Sequence, residues 1–243
     1  MKNSFDIIDP SEKIILALDG MNKQEVFSLI SELPDLKWVK VGLELFVNCG
    51  PGIILDLRDK GKKIFLDLKF HDIPTTMANA CYQAGKLGSN LISVHCCAGV
   101  EALKKSNEFA IKGASEEGLI APLLLGVTVL TSWNQALLNK ELSVNHSIMQ
   151  RVQKMASLAS ISGLGGCVCS PLEAKNLRIN YPQPFELVTP GIRLKGNSFD
   201  DQSRVMEPVE ALNQGASRLV IGRSISKAEN PNYVFNKLCD QLA

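Results

Sequence analysis

Asp67, Lys69 and Asp72 fall within a single nine-residue stretch, IFLDLKFHD at 64–72. Side chains alternate across a strand, so Ile64, Leu66, Leu68 and Phe70 would share one face, with Asp67, Lys69 and His71 on the other. The segment runs at once into IPTTMANACYQAGKLG, which opens with Pro74 and has helical character, as a parallel strand–helix unit would. A charge inside such a sheet is expensive unless it is paired. A structural ion pair between Asp67 and Lys69 is one way to meet that cost, and a reaction centre is another. Carboxylates on either side favour the charged ammonium over the free amine. This opposes Schiff-base chemistry and suits a cation that stabilises a carbanion and then protonates it. With Lys69 as donor, His71 and His95 are assigned packing or hydrogen-bond roles, and His146 is assigned none.

A second group has the chemistry of an anion site. TPGIR (189–193) and IGRS (221–224) place Gly191 and Gly222 where backbone amides can approach an anion, and Arg193 and Arg223 supply forked donors. Together they indicate a phosphorylated substrate. Asp19, Lys40, Thr128, Thr131, Ser132 and Gln202 also stand at or beyond the ends of apolar runs. Taken singly, each of these reads as a solvated charge or a capping group.

The elements that must position these groups recur regularly. Eight strand-like runs are IILAL (14–18), WVKVG (38–42), KIFLDL (63–68), LISVH (91–95), LLLGVTVL (123–130), GCVCS (166–170), FELVT (185–189) and RLVIG (218–222). Helical patterns such as NKQEVFSLISEL and PLEAKNLRI lie between them. This alternation, with no linker, predicts one (β/α)₈ barrel domain over residues 1–243, whose strand ends converge on one mouth. A doubly wound open sheet is the alternative. It loses its nucleotide-binding versions because neither GxGxxG nor GxxxxGK[ST] follows the first strand. Two long connections, 131–147 and 190–203, are expected to be lids or ligand loops on that mouth.

The 243 residues are 45% hydrophobic and carry a net charge of +1, so nothing general recruits nucleic acid or an anionic membrane. The seven cysteines are odd in number and scattered, without zinc-site spacing, which fits a reduced, cytoplasmic setting. Cys96–Cys97 and Cys167/Cys169 read as small buried hydrophobes in strands, not as metal ligands. MKNSFDIIDPSEK lacks the apolar centre of a signal peptide, and the longest apolar run, interrupted by Pro122, falls short of the ~20 residues that span a bilayer.

The segments LALD (16–19), KVG (40–42), FLDLKFHDIP (65–74), VTVLTS (127–132), VTPGIR (188–193), DDQSRVM (200–206) and VIGRSI (220–225) together resemble the orotidine 5′-phosphate decarboxylases in their compact bacterial form. The resemblance runs nearly end to end. It implies a homodimeric (β/α)₈ enzyme that converts orotidine 5′-monophosphate to UMP and CO₂, the last step of de novo UMP synthesis, with no metal or organic cofactor. It makes Lys69 the proton donor to C6 and Asp67 its charged neighbour. Asp72 and Thr76 would enter the other subunit's site. Asp19 and Lys40 would hold ribose hydroxyls, Thr131 and Ser132 would read the pyrimidine amide edge, and Arg193, Gln202, Gly222 and Arg223 would bind the 5′-phosphate. Of two departures from the family pattern, Thr75 in DIPTT is expected to cost little function, and Glu207 in MEP, near a helix start, to be structural.

Three rivals remain at this level. A Mg²⁺-dependent sugar-phosphate decarboxylase of the same wider group would need an acidic ligand where Lys40 stands. A Schiff-base aldolase would need a neutral Lys69. A non-catalytic barrel that binds a phosphorylated ligand leaves unexplained why carboxylates should be buried beside an intended anion.

Overall fold

The computed structural model describes residues 9–194 and 204–243. The apolar, β-branched runs form strands β1 (Ile14–Ala17), β2 (Trp38–Gly42), β3 (Lys63–Phe70), β4 (Leu91–His95), β5 (Leu123–Val127), β6 (Gly166–Val168), β7 (Glu186–Thr189) and β8 (Arg218–Ile221). All neighbouring pairs are parallel, and β8 returns to β1, so the sheet closes into a (β/α)₈ barrel. Buried on both faces, these strands read as continuous apolar runs, as strands of a parallel sheet do.

Alternate side chains separate two cores. Ile15, Ala17, Trp38, Phe65, Leu91, Leu125, Val188 and Val220 fill the barrel, while Ile14, Leu16, Ile64, Leu66, Ile92 and Leu219 pack outward against the helices. Capping sequences fix where several helices begin. Asn22 and Glu25 form a reciprocal capping box on helix Lys23–Glu32, and Ser170 and Glu173 do so on helix Pro171–Asn180. Helices Pro74–Lys86 and Val100–Glu116, which follow β3 and β4, cross closely because of two glycines. A Cβ on Gly85 would lie 2.2 Å from the Ala110 carbonyl oxygen, and one on Gly113 would lie 2.2 Å from that of Tyr82.

Several observed boundaries differ from the sequence expectation. β5 ends at Val127, and the hydroxyl of Thr128 donates to the Val168 carbonyl at 2.9 Å, tying β5 to β6 instead of facing the mouth. The 131–147 connection is not all loop: it contains helix Gln135–Leu142, capped by Asn134. Residues 195–203 of the second long connection lie outside the described residues. Cys81, Cys96, Cys167 and Cys169 are buried, as small hydrophobes should be, but Cys97 is exposed in the 3₁₀ turn after β4.

The N-terminal end of the barrel is closed by a charged cluster around Trp38. Glu12 accepts hydrogen bonds from the Trp38 indole N–H at 2.6 Å and from Lys63 at 2.8 Å, and the Arg218 guanidinium lies 4.4 Å from the indole centre. Burial raises the Glu12 pKa, but hydrogen bonds from Lys63 and Trp38 outweigh it and hold the carboxyl below its usual value. Its contribution is therefore present above the ordinary carboxylate range and is lost as pH falls through the depressed folded value. Glu12→Ala should lower stability at pH 7 by about 1–2 kcal/mol, roughly 3–6 °C in Tm, with kcat unchanged. Thermal melts of both proteins at pH 7 and pH 3 check this, and the gap should narrow at the lower pH.

Candidate active site

The mouth at the C-terminal ends of the strands holds a cavity of about 530 Å³. Residues from β1, β2, β3 and the segments after β5, β7 and β8 line it, among them Asp19, Lys40, Asp67, Lys69, Thr131, Ser132, Arg193, Gly222 and Arg223. Nine of the site residues expected from sequence thus meet in one place.

Four of them form a row of alternating charge. Asp19 Oδ1 lies 2.8 Å from Lys40 Nζ, which is 3.6 Å from Asp67 Oδ2, and Asp67 Oδ2 is 2.9 Å from Lys69 Nζ. Lys40 and Asp67 are only 7% and 8% exposed, which explains why neither can be left unpaired. Burial by itself raises the Asp67 pKa. The charges of Lys40 and Lys69, with hydrogen bonds from Lys69 and Ser93, outweigh it and hold the carboxyl below its ordinary value. Asp67 therefore enters the neutral pH range as an anion.

The backbone that carries Lys69 is irregular. β3 and β4 pair at Leu66↔Ile92 and next at Phe70↔Val94, so the register shifts between these points. Within the shift Lys69 has φ +52°, one of two non-glycine residues with positive φ among the described residues. For a side chain of this kind the left-handed region costs about 1–2 kcal/mol. Ser93, buried on β4, accepts from the Lys69 backbone N–H at 2.9 Å and donates to Asp67 Oδ1 at 2.8 Å.

Gly42 makes room for the charge row. It pairs with Asp67 in the β2–β3 ladder, and a Cβ there would lie 2.4 Å from Asp19 Oδ1 and 2.9 Å from Lys40 Nζ. The obstructed atoms are the tips of flexible side chains, so the fold could absorb an added methyl group. The Asp19–Lys40 pair could not stay where it is.

Across the cavity, Arg193 is half-buried and Arg223 begins the short helix Arg223–Ser226. Gly191 has φ +82°, as only glycine readily allows, and lines the cavity beside Arg193. An isolated bridge, Ile192↔Met206, with Arg193 N–H donating to the Met206 carbonyl at 3.0 Å, joins the two ends of the 195–203 segment. Arg204, at the end of that segment, pairs with buried Glu173 and donates to the Val129 and Leu130 carbonyls. The base of this connection is thereby tied to the segment that carries Thr131 and Ser132.

Not every expected residue joins the cavity. Asp72 and Thr76 are exposed and do not line it, and Asp72 accepts from the Ile73 backbone N–H at 2.6 Å. Gln202 lies outside the described residues. His71 does not share the strand face of Asp67 and Lys69, because β3 ends at Phe70. Its exposed ring instead faces His95, with ring centroids 5.3 Å apart, and Cys97 Sγ at 3.7 Å. Burial, then repulsion from His71 and Lys69, lowers the His95 pKa against the pull of Asp67. Thr75 accepts from Lys105 at 3.0 Å, and Glu207 occupies the N-cap position of helix Pro208–Asn213 without a side-chain capping bond.

Known proteins resemble this chain over nearly its whole length. Residues 12–238 match the model of the orotidine 5′-phosphate decarboxylase / HUMPS family. The chain belongs to that family. An orotidine 5′-phosphate decarboxylase from Prochlorococcus marinus is 57% identical over 233 residues, covering 96% of this chain and 97% of the relative. One from Parasynechococcus marenigrum is 54% identical over 233 residues, covering 96% and 95%. Among solved structures, the orotidine 5′-phosphate decarboxylase of Lactobacillus acidophilus superposes with a TM-score of 0.85 at 35% identity, over 95% of this chain and 99% of that one. The family likeness thus spans every barrel strand and both ends of the cavity.

Sequence reasoning passed over Ser93, Gly42 and Arg204. A serine within LISVH was a usable signal, since it interrupts a strand otherwise buried and apolar. Gly42→Ala should fold with Tm near the parent but bind UMP roughly 10-fold more weakly, a loss of about 1.4 kcal/mol, as calorimetric titration would read. Because the Asp67 carboxyl is held low, activity should persist through mildly acidic pH and fail only below the ordinary carboxylate range. A pH profile of kcat checks the sign.

Proposed function

We propose that this cavity binds orotidine 5′-monophosphate with its phosphate at Arg193, Gln202, Gly222 and Arg223, and its pyrimidine over Lys69. The activity is decarboxylation to UMP and CO₂, a step of pyrimidine biosynthesis. The observation that carries the reading is the row ending in Lys69: a cation fixed by Asp67 at 2.9 Å, in the same cavity as Arg193 and Arg223. The C6–carboxyl bond breaks, its electron pair stays on C6, and CO₂ leaves. The Lys69 ammonium attracts that pair and gives a proton to C6, and the resulting amine takes a proton from solvent. Only attraction that grows as charge localises on C6 accelerates the step. Asp67 beside the departing carboxylate adds ground-state repulsion, which we treat as secondary. Asp19 and Lys40 hold the ribose hydroxyls, while Thr131 and Ser132 read the amide edge of the ring.

The reaction, in this reading, needs no metal or organic cofactor. Lys40 Nζ stands between Asp19 and Asp67, so an ammonium fills the position where a metal-dependent relative would use an acidic ligand. The working unit is a cytoplasmic homodimer of one-domain chains, with Asp72 and Thr76 of each copy completing the site of the other. Exposed Ile73, 68% accessible between them, supports a surface that a second copy covers. Neither nucleic acid nor membrane takes part. Among the described residues no helix is long and apolar enough to cross a bilayer.

Loss of orotidine 5′-monophosphate absorbance in excess EDTA tests the reaction. The parent should be active, and Lys69→Ala should be slower by about 10³-fold, the equivalent of some 4 kcal/mol of charge interaction. Activity only with added Mg²⁺ would move the assignment to the sugar-phosphate branch. Mixing Lys69→Ala with Asp72→Ala tests the shared site. Hybrid dimers should regain activity at one site of two, and no recovery would sink that arrangement.

A further inference from the structure

One buried, uncharged polar group touches two members of the charge row. Ser93 is fully buried on β4, among the outward-packing and barrel-filling apolar side chains of that strand. Its hydroxyl makes two contacts of opposite sense, accepting from the Lys69 backbone N–H at 2.9 Å and donating to Asp67 Oδ1 at 2.8 Å. Both fall inside the segment where the β3–β4 register shifts and Lys69 adopts φ +52°.

A hydroxyl can do both at once because it has one proton to give and lone pairs to receive. An alanine would leave the Asp67 oxygen with one donor fewer and remove the acceptor that faces the Lys69 N–H. We propose that Ser93 is a positioning residue for decarboxylation: it fixes the left-handed turn at Lys69 and the rotation of the Asp67 carboxylate together, so that the ammonium is aimed before substrate arrives. The inference rests on the reading of Lys69 as the group that acts on C6.

Two consequences separate this role from simple packing. Ser93 lies on the β4 side of Asp67 and does not line the cavity, so ligand affinity does not depend on its hydroxyl. Aim does, and misplacing a reacting group by about 1 Å can cost 10²-fold in rate. The groups facing Asp67 are Lys40 from β2, Lys69 from β3, and Ser93 and His95 from β4, with Asp19 behind Lys40. Of these, Ser93 is an uncharged group that donates a hydrogen bond to the carboxylate. Its loss leaves the charges in place and weakens the hold on the carboxylate anion, so the acid limb of the rate profile moves to higher pH.

The experiment compares Ser93→Ala, Ser93→Thr and Lys69→Ala with the parent in kcat, its pH profile, UMP affinity and Tm. Ser93→Ala is expected to lose about 10- to 100-fold in kcat, with UMP affinity within about twofold of the parent. Its acid limb should move upward, and Ser93→Thr, which keeps the hydroxyl, should recover rate. If the alanine protein does not fold, Ser93→Cys takes its place, being of similar size with only a weak donor and acceptor. Parent-like kcat and acid limb in Ser93→Ala would overturn the inference. So would a threonine variant that melts with the parent yet is as slow as the alanine one. Lys69→Ala slowed by about 10³-fold with Ser93→Ala fully active rejects the Ser93 role alone. Parent-like activity in Lys69→Ala rejects the lysine reading, and the Ser93 role with it.

Discussion

The Asp67–Lys69 ion pair is the contact on which the site's geometry depends. Two charges 2.9 Å apart attract strongly where water is scarce, about 6 kcal/mol at an effective dielectric near 20, but desolvation takes much of that back. Lys40 and Asp19 extend the pair into a row, so that each buried charge has an opposite neighbour. The barrel's part is geometric. Parallel strands bring the ends of β1, β2 and β3 side by side, which is why residues far apart in sequence can alternate in sign across one mouth.

Holding that row has local consequences. Gly42 carries no side chain because the Asp19 and Lys40 tips occupy the space a Cβ would need. Lys69 sits in a left-handed conformation at a break in strand register, with a neighbouring serine bonded to its backbone. Backbone conformations of this kind persist where surrounding contacts over-determine them, and they cluster at functional sites. In the proposed reaction the arginines at the far side of the cavity, Arg193 and Arg223, supply binding energy remote from the reacting carbon. That energy orders the site around a cation already in place.

Much of this is legible in the amino-acid sequence. The eight apolar runs and the helices between them favoured a parallel barrel over an open sheet, and a barrel brings Asp19, Lys40, Asp67, Lys69, Arg193 and Arg223 to one mouth. What stayed hidden is what depends on register and on three-dimensional approach. Alternation along β3 placed Asp67 and Lys69 correctly but carried His71 with them, because the shift after Leu66 and the end of the strand at Phe70 leave no mark in the residue types. Thr128 read as a mouth residue, yet its hydroxyl is used to join β5 to β6. Ser93 and Gly42 matter through neighbours on other strands, and a single strand's sequence does not name those neighbours.

The central claim is that the Lys69 ammonium stabilises negative charge at C6 of the pyrimidine. Uptake of deuterium at C6 of UMP in D₂O, followed by proton NMR with parent and Lys69→Ala protein, probes it without any CO₂ chemistry, since the same carbanion must form for the hydrogen to exchange. Exchange above the solution background is expected with the parent and none with the variant. Exchange undiminished by loss of the lysine, or absent from a parent that decarboxylates orotidine 5′-monophosphate, would contradict it.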